Sequence, residues 1–309
     1  PPRAAPKLLD SSELRMRTAR AAAAATAAAA AAATLSSARP RHAASAADDD
    51  VRAAVQLREA ALRARAVLSD PPQMLQRCAR SAWRQHAGVT AMDELARRQA
   101  ALSDSLASAA NSWKERQGVR PAELRSLTEA VSDTEAAVRG ARASAVRAAA
   151  AVPWGEVLGS SRLEPATGSA AADAPGAERL RGRVVGLYFT ASWCGPCRRF
   201  TPKLVQLYEA AARASPPDGL ELVLVSWDEI GDERREYARQ AGMRWLALPH
   251  SREARALADE LTLRYDVTSI PALVVVEVSA DGSSARVLSR DGRMDVERGH
   301  APWMSRVLG

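Results

Sequence analysis

The chain has 309 residues, 47% of them apolar, and a net charge of +7, which leaves room for two domains of ordinary size and a packed core. Seven Lys/Arg against two acids fall in residues 1–47, seventeen against sixteen in 48–177, and nineteen against eighteen in 178–309. The positive charge therefore belongs to the N-terminal arm, and a basic face on a fold, as nucleic-acid binding requires, is not expected.

Residues 1–47 are rich in Ala, Arg and Ser, poor in acids, and carry an almost pure alanine run from Ala21 to Ala33. That is the composition of an organellar transit segment. It is equally that of a low-complexity tail from an Ala/Arg-biased sequence, since 40 of the 43 basic residues are arginine. Alanine is too weakly apolar, and the run too short, to predict a membrane span. Pro1 in place of a methionine is what a fragment or a processed form would show.

Residues 48–150 read as a helical bundle or coiled-coil-like region. Asp70 and Pro71 form a start signal, and Thr90 with Asp93 has capping-box spacing. The helix that follows places Met92, Leu95, Leu102 and Leu106 on one face, with Gln99 interrupting the stripe. Pro121 opens another helix, with Leu124, Leu127, Val131 and Val138 on one stripe and Gly140 where a C-cap is expected. Cys78 and His86 share a helical face but lie about 12 Å apart along the axis, too far for a joint site, so Cys78 reads as a small core residue.

Residues 160–177 are Ser/Ala/Gly/Pro-rich and read as loop. Beyond them the pattern changes to buried-strand runs alternating with helices. The strands are "RVVGLYFTA" from Arg183, "LELVLVSWD" over Leu220–Asp228, "PALVVVEVS" from Pro271, and "ARVLSRDG" after an Asp281-Gly282 hairpin turn. The helices run to about Ala214, to Gly242, and from an N-cap at Ser251. Residues 152–309 thus form an α/β domain.

The chemistry lies in "FTASWCGPCRRFTP", Phe189–Pro202. Thiol chemistry proceeds through the thiolate, and an ordinary cysteine near pKa ~8.5 is mostly protonated at neutral pH. A cysteine just before a helix faces unpaired backbone N–H groups and the positive end of the dipole, which lower that value. Arg198 and Arg199 can add to this field, and a pKa of roughly 7 is typical of such motifs. Gly195-Pro196 opens the helix, Pro196 occupying a first-turn position where its missing N–H costs nothing. One turn brings Cys197 beneath Cys194. Cys194 can attack a substrate disulfide and Cys197 can resolve the mixed disulfide, with Trp193 a flat apolar cover beside the nucleophile. Pro271, after Ile270, suits the first residue of a strand. A bare C-x-x-C is also a zinc half-site, but only Cys78 and four scattered histidines remain to complete it, so no metal is expected. A structural disulfide stays open.

At these residues the chain resembles the thioredoxin superfamily, and within it the tryparedoxin/nucleoredoxin branch. The resemblance is carried by "VVGLYFTASWCGPCRRFTPKLVQLYEA", "VLVSWDEI", "WLALPH", "LTLRYDVTSIPALVVVE", "DGR" at Asp291–Arg293 and "APW" at Ala301–Trp303, over about residues 152–305. "EVLGSSRL", near Glu156, is similar to the branch's opening hairpin. The resemblance implies a thioredoxin fold, a central mixed β-sheet flanked by helices. It also implies dithiol–disulfide exchange with protein clients, Cys194 as nucleophile, Cys197 as resolving thiol and Pro271 as a cis-proline after Ile270. No cofactor is implied beyond a redox-active Cys194–Cys197 disulfide, and the partners would be disulfide-containing clients and an upstream thiol or flavoprotein reductant. Two departures stand out. Gly195-Pro196 replaces the branch's common Pro-Pro, and Tyr188 sits where thioredoxins usually carry a buried aspartate. Asp228 or Glu229 could then act as proton acceptor, or simply form a solvated strand end. A reductase needs a reducing intracellular compartment, plastid or mitochondrion by the N-terminal arm, cytoplasm or nucleus otherwise. The competing reading is a thioredoxin-fold interaction module whose helical half provides docking or oligomerisation.

Overall fold

A computed structural model describes residues 48–69, 89–116, 119–158, 163–168, 176–214 and 219–308. The N-terminal arm, Asp70, Pro71, Cys78 and His86 lie outside the described residues. The chain divides into two compact units, 1–145 and 146–309.

Among its described residues the first unit holds the long helices α1 (Asp48–Ser69) and α2 (Val89–Arg116) and most of α3 (Pro121–Ala151), whose residues from Val146 onward belong to the second unit. The apolar stripes read from the sequence become its core: Leu102, Leu106, Leu127 and Val131 are fully buried with Leu57, Ala60, Ala61 and Ala64 of α1, and Leu95 is fully buried in a separate cluster with Ala141 of α3. Polar pairs fix the order of the helices. Arg98 reaches Asp133 at 2.5 Å and Thr134 Oγ1 donates to the Arg98 carbonyl at 3.1 Å. Ser112 donates to Glu123 near the connection, so α2 and α3 are antiparallel. Arg63 of α1 grips Glu135 of α3 through two bonds of 2.7 and 3.0 Å.

Two expectations fail here. Gly140 does not end α3, which runs on to Ala151. A mid-helix glycine costs only about 1 kcal/mol, and the Ala/Arg-rich continuation outweighs it, burying Ala141, Ala145 and Ala149 at four-residue spacing. Helix α2 begins at Val89, so Thr90 lies inside the first turn and not ahead of it.

The second unit is built on a six-stranded sheet. Its strands are β1 (Glu164–Pro165), β2 (Val184–Thr190), β3 (Leu220–Ser226), β4 (Leu246–Ala247), β5 (Ala272–Val278) and β6 (Ala285–Ser289), in the order β1-β4-β3-β2-β5-β6. β2 pairs parallel with β3 and antiparallel with β5, so the sheet is mixed. Its helices are α4 (Trp154–Leu158), α5 (Gly195–Ala214), α6 (Gly231–Ala241), α7 (Arg252–Arg264), α8 (Gly292–Arg298) and α9 (Pro302–Leu308).

Strand periodicity of two sorts the core into two layers. Val185, Leu187, Phe189, Val223, Val225, Val274 and Val276 meet Trp154 and Leu158 of α4 and Leu261 of α7. Tyr188, Leu222, Leu224, Leu273 and Val275 meet Phe200 and Leu204 of α5, Tyr237 of α6 and Trp303 of α9. All seven residues of β2 are buried, which is why it reads as an unbroken apolar run.

Capping follows the sequence where the signal is local. Ser251 Oγ accepts from the Ala254 amide at 3.2 Å, and Gly242 closes α6 in the left-handed region at φ 71°. Arg264 of α7 donates to the Ala149 and Val152 carbonyls at 2.9 and 2.5 Å, satisfying groups at the end of α3. The β5–β6 hairpin turns through the stretch read for it: Gly282 takes a positive φ there, and Asp281 Oδ1 accepts from Ser279 Oγ and the Ser283 amide. Two features differ from expectation. Residues 154–158 form helix α4, because Trp154, Val157 and Leu158 share a face buried in the core; of the stretch "EVLGSSRL" read as an opening hairpin, Glu156–Leu158 are thus helical and 159–162 lie outside the described residues. Helices α8 and α9 and strand β4 were not legible as elements. Gly292 opens α8 against β5, where a Cβ would stand 2.8 Å from the Leu273 carbonyl oxygen.

Candidate active site

The site forms where β2 ends and α5 begins. β2 is the central strand, paired on both sides, so its end at Thr190 is rigidly placed. Residues 191–194 turn there, the Cys194 amide donating to the Ala191 carbonyl at 3.2 Å. Gly195 then starts α5, with Pro196 in its first turn. Cys194 and Cys197 are joined by a disulfide, their Cα atoms 5.2 Å apart. Cys194 is 5% exposed and Cys197 is fully buried, so Cys194 is the more accessible of the pair.

The helix start is aimed at the Cys194 sulfur. The Cys197 amide lies 3.2 Å from Cys194 Sγ, where it can donate to a thiolate. Across the site the Ile270–Pro271 peptide bond is cis, and the Ile270 carbonyl oxygen stands 3.9 Å from Cys194 Sγ. The pair is joined in a small cluster by Ala191, with Trp227 and Ile270 packed against it. Trp193 stands 64% exposed at the rim. The apolar neighbours of the sulfurs are thus Trp227 and Ile270, of which only Ile270 was singled out from the sequence.

Beneath α5 lies a chain of buried hydroxyls. Tyr188 OH is 2.7 Å from Thr201 Oγ1, which is 2.6 Å from Tyr237 OH and 2.9 Å from the Cys197 carbonyl oxygen. Burial pushes the Tyr188 phenol well above its ordinary range, with the neighbouring Tyr237 adding to the shift. Tyr188 is therefore a neutral hydrogen-bonding group at the position noted from the sequence.

Of the two acids singled out, Asp228 is buried and Glu229 is exposed. Asp228 Oδ1 accepts from the Ser192 amide at 2.9 Å and from Ser192 Oγ at 2.8 Å, and Oδ2 accepts from Ser226 Oγ at 2.8 Å. Arg255 of α7 holds the same loop, donating to the Glu229 carbonyl at 3.0 Å. Arg198 does not simply project its charge outward. Its Nε donates to the Ser192 carbonyl at 2.6 Å and its guanidinium lies 5.9 Å from the Tyr237 ring centroid. Ser192, Thr201, Trp227, Tyr237 and Arg255 were missed as site residues. Ser192 and Asp228 are 36 positions apart, as are Thr201 and Tyr237, and nothing in the local pattern announces either pairing. Among the described residues no group of three His, Cys, Asp or Glu side chains could hold a metal ion, and no helix is long and apolar enough to cross a membrane.

Comparison with known proteins places this geometry. A family model described as thioredoxin-like matches residues 182–282. Tryparedoxin of Trypanosoma brucei brucei is 38% identical over 127 residues, covering 40% of this chain and 81% of that protein. The Arabidopsis thaliana protein called "Probable nucleoredoxin 1" is 45% identical over 101 residues, 32% of this chain and 16% of its own length. Nucleoredoxin of Xenopus laevis is 36% identical over 119 residues, 38% of this chain and 26% of that one. The chain thus spans most of tryparedoxin but only 16% and 26% of these nucleoredoxins' length. With the mixed sheet, the cysteine pair at a helix start and the tryparedoxin match in agreement, the chain belongs to the thioredoxin superfamily, in its tryparedoxin/nucleoredoxin branch.

Proposed function

We propose that the protein is a thiol–disulfide oxidoreductase that reduces protein disulfides through Cys194 and Cys197. The observation that carries this is the cysteine pair at the start of α5, with the Cys197 amide 3.2 Å from the Cys194 sulfur and Cys194 the more exposed of the two. In the dithiol form, the Cys194 thiolate attacks one sulfur of a client disulfide. A new S–S bond forms, and the other client sulfur leaves as a thiolate and takes up a proton. Cys197 then gives up its proton and attacks Cys194 Sγ, expelling the first client sulfur. The client gains two electrons and two protons, and the Cys194–Cys197 disulfide carries the oxidation. An upstream thiol or flavoprotein reductant, supplied by a reducing compartment, returns it to the dithiol. The composition of residues 1–47 favours a plastid or mitochondrion.

Trp193 at the rim and the Ile270–Pro271 loop are assigned to client contact, the Ile270 carbonyl lying beside the attacking sulfur. The test is reduction of insulin with dithiothreitol as electron source. Cys194→Ser is expected to abolish activity, and Cys197→Ser to accumulate mixed disulfides that run as larger species without reductant. Full activity in Cys194→Ser overturns the assignment.

A further inference from the structure

Every polar group of Ser192 is held by a charged side chain. Its amide and hydroxyl donate to Asp228 at 2.9 and 2.8 Å, and its carbonyl accepts from Arg198 Nε at 2.6 Å. The two charged residues come from different elements, Asp228 from the loop after β3 and Arg198 from α5. They converge on the residue two positions before Cys194. Asp228 is 4% exposed, a location where an ionised carboxylate is tolerated only when hydrogen bonds replace its water. Ser192 supplies two of these and Ser226 Oγ the third. The carboxylate is thereby committed to the loop that carries the nucleophile.

That loop sets where the Cys194 sulfur lies relative to the helix start. The contact that matters is the 3.2 Å approach of the Cys197 amide to Cys194 Sγ, because a hydrogen bond and a helix dipole act on a thiolate only over the first turn. We propose that Asp228 is a positioning residue for the Cys194 thiolate. By clamping Ser192 from one side, against Arg198 on the other, it keeps the sulfur over the α5 amide, and it is not the proton acceptor for Cys197. The proposal rests on Cys194 being the reactive thiol of the oxidoreductase described above.

The two roles separate experimentally because Asp228→Asn keeps an oxygen acceptor for Ser192 but loses the basic carboxylate. The measurement is the rate of iodoacetamide alkylation of Cys194 in the reduced full-length protein across pH 5–10, alongside insulin reduction. Asp228→Ala is expected to move the midpoint of the alkylation profile upward and to slow alkylation at pH 7 roughly fivefold. Asp228→Asn is expected to recover most of that loss in both assays. Ser192→Ala, which deletes one of the two bonds, should fall between wild type and Asp228→Ala. The double variant should be no slower than Asp228→Ala alone, since both remove the same link. An Asp228→Asn protein as impaired as Asp228→Ala would show that the charge matters and overturn the proposal. So would a Ser192→Ala profile identical to wild type, a result that decides the matter even if Asp228→Ala does not fold. A wild-type Cys194 that alkylates no faster than an ordinary thiol would instead sink the oxidoreductase reading itself.

Discussion

At the scale of single residues, Tyr188 stands where the resemblance to thioredoxins implies a buried aspartate. Its hydroxyl is buried, bonded to Thr201, and strongly disfavoured from ionising. The phenolate form is absent across the working pH range, so Tyr188 can align neighbours but cannot accept the Cys197 proton. Tyr188→Phe is therefore expected to leave the alkylation midpoint of Cys194 in place while lowering stability by about 1 kcal/mol, the ordinary worth of a buried hydrogen bond. Thr201 keeps its bonds to Tyr237 and to the Cys197 carbonyl in that variant. A shifted midpoint would place Tyr188 in the proton path. The sequence displayed Tyr188 at the position where an acid is usual, but not its partner, because the two hydroxyls approach only when α5 lies across β2.

At the scale of elements, the C-terminal end of the fold is tied by a charge cluster. Glu277 of β5 accepts from Arg286 of β6 at 2.5 Å and from Arg306 of α9. These two arginines hold the Glu277 carboxyl at about 2, below its ordinary 4.5. The folded value is the lower one, so the contribution to stability is complete above about pH 4.5 and is lost as pH falls toward 2. The groups are exposed enough to be screened, and the effect is small. Glu277→Gln is expected to lower the melting temperature by roughly 1–3 °C at pH 7 and to match wild type near pH 2. A constant difference across that range would mean that the side chain acts through packing and not through charge. The pairing joins three elements, of which α9 was not recognisable as a helix beforehand. Its seven residues are too few for a periodic stripe, and its burial of Trp303 and Val307 depends on the sheet beneath.

At the scale of the whole molecule, the two units have cores of different quality. Among the described residues, five of the eleven buried in the main cluster of the helical bundle are alanines, and an alanine removes little apolar surface from water. The sheet domain instead buries Trp245, Tyr188, Phe189 and Phe200. The bundle is expected to unfold first. In urea, helical circular dichroism should begin to fall before the fluorescence of the buried Trp245 and Trp303 changes, and Cys194 alkylation should track the second transition. A single coincident transition would show that the units unfold as one. Val55 and Leu62, half exposed on α1, are the residues on which a docking role for the bundle would rest.

The sequence by itself determined what depends on neighbours in the chain. The helical stripes, the buried run of β2, the Ser251 and Gly242 caps, and the cysteines one turn apart at a helix start all follow from periodicities and from backbone groups within a few residues. It could not determine that Gly140 lies within a helix, that residues 154–158 are helical, or that Asp228 grips Ser192. The first was decided by a helical continuation that outweighs a single glycine, the second by a surface that exists only after the sheet has formed, and the third by a partner 36 positions away. Hydrogen bonds of that kind have no period to read, because their geometry is set by where the strands end and not by the order of residues between them.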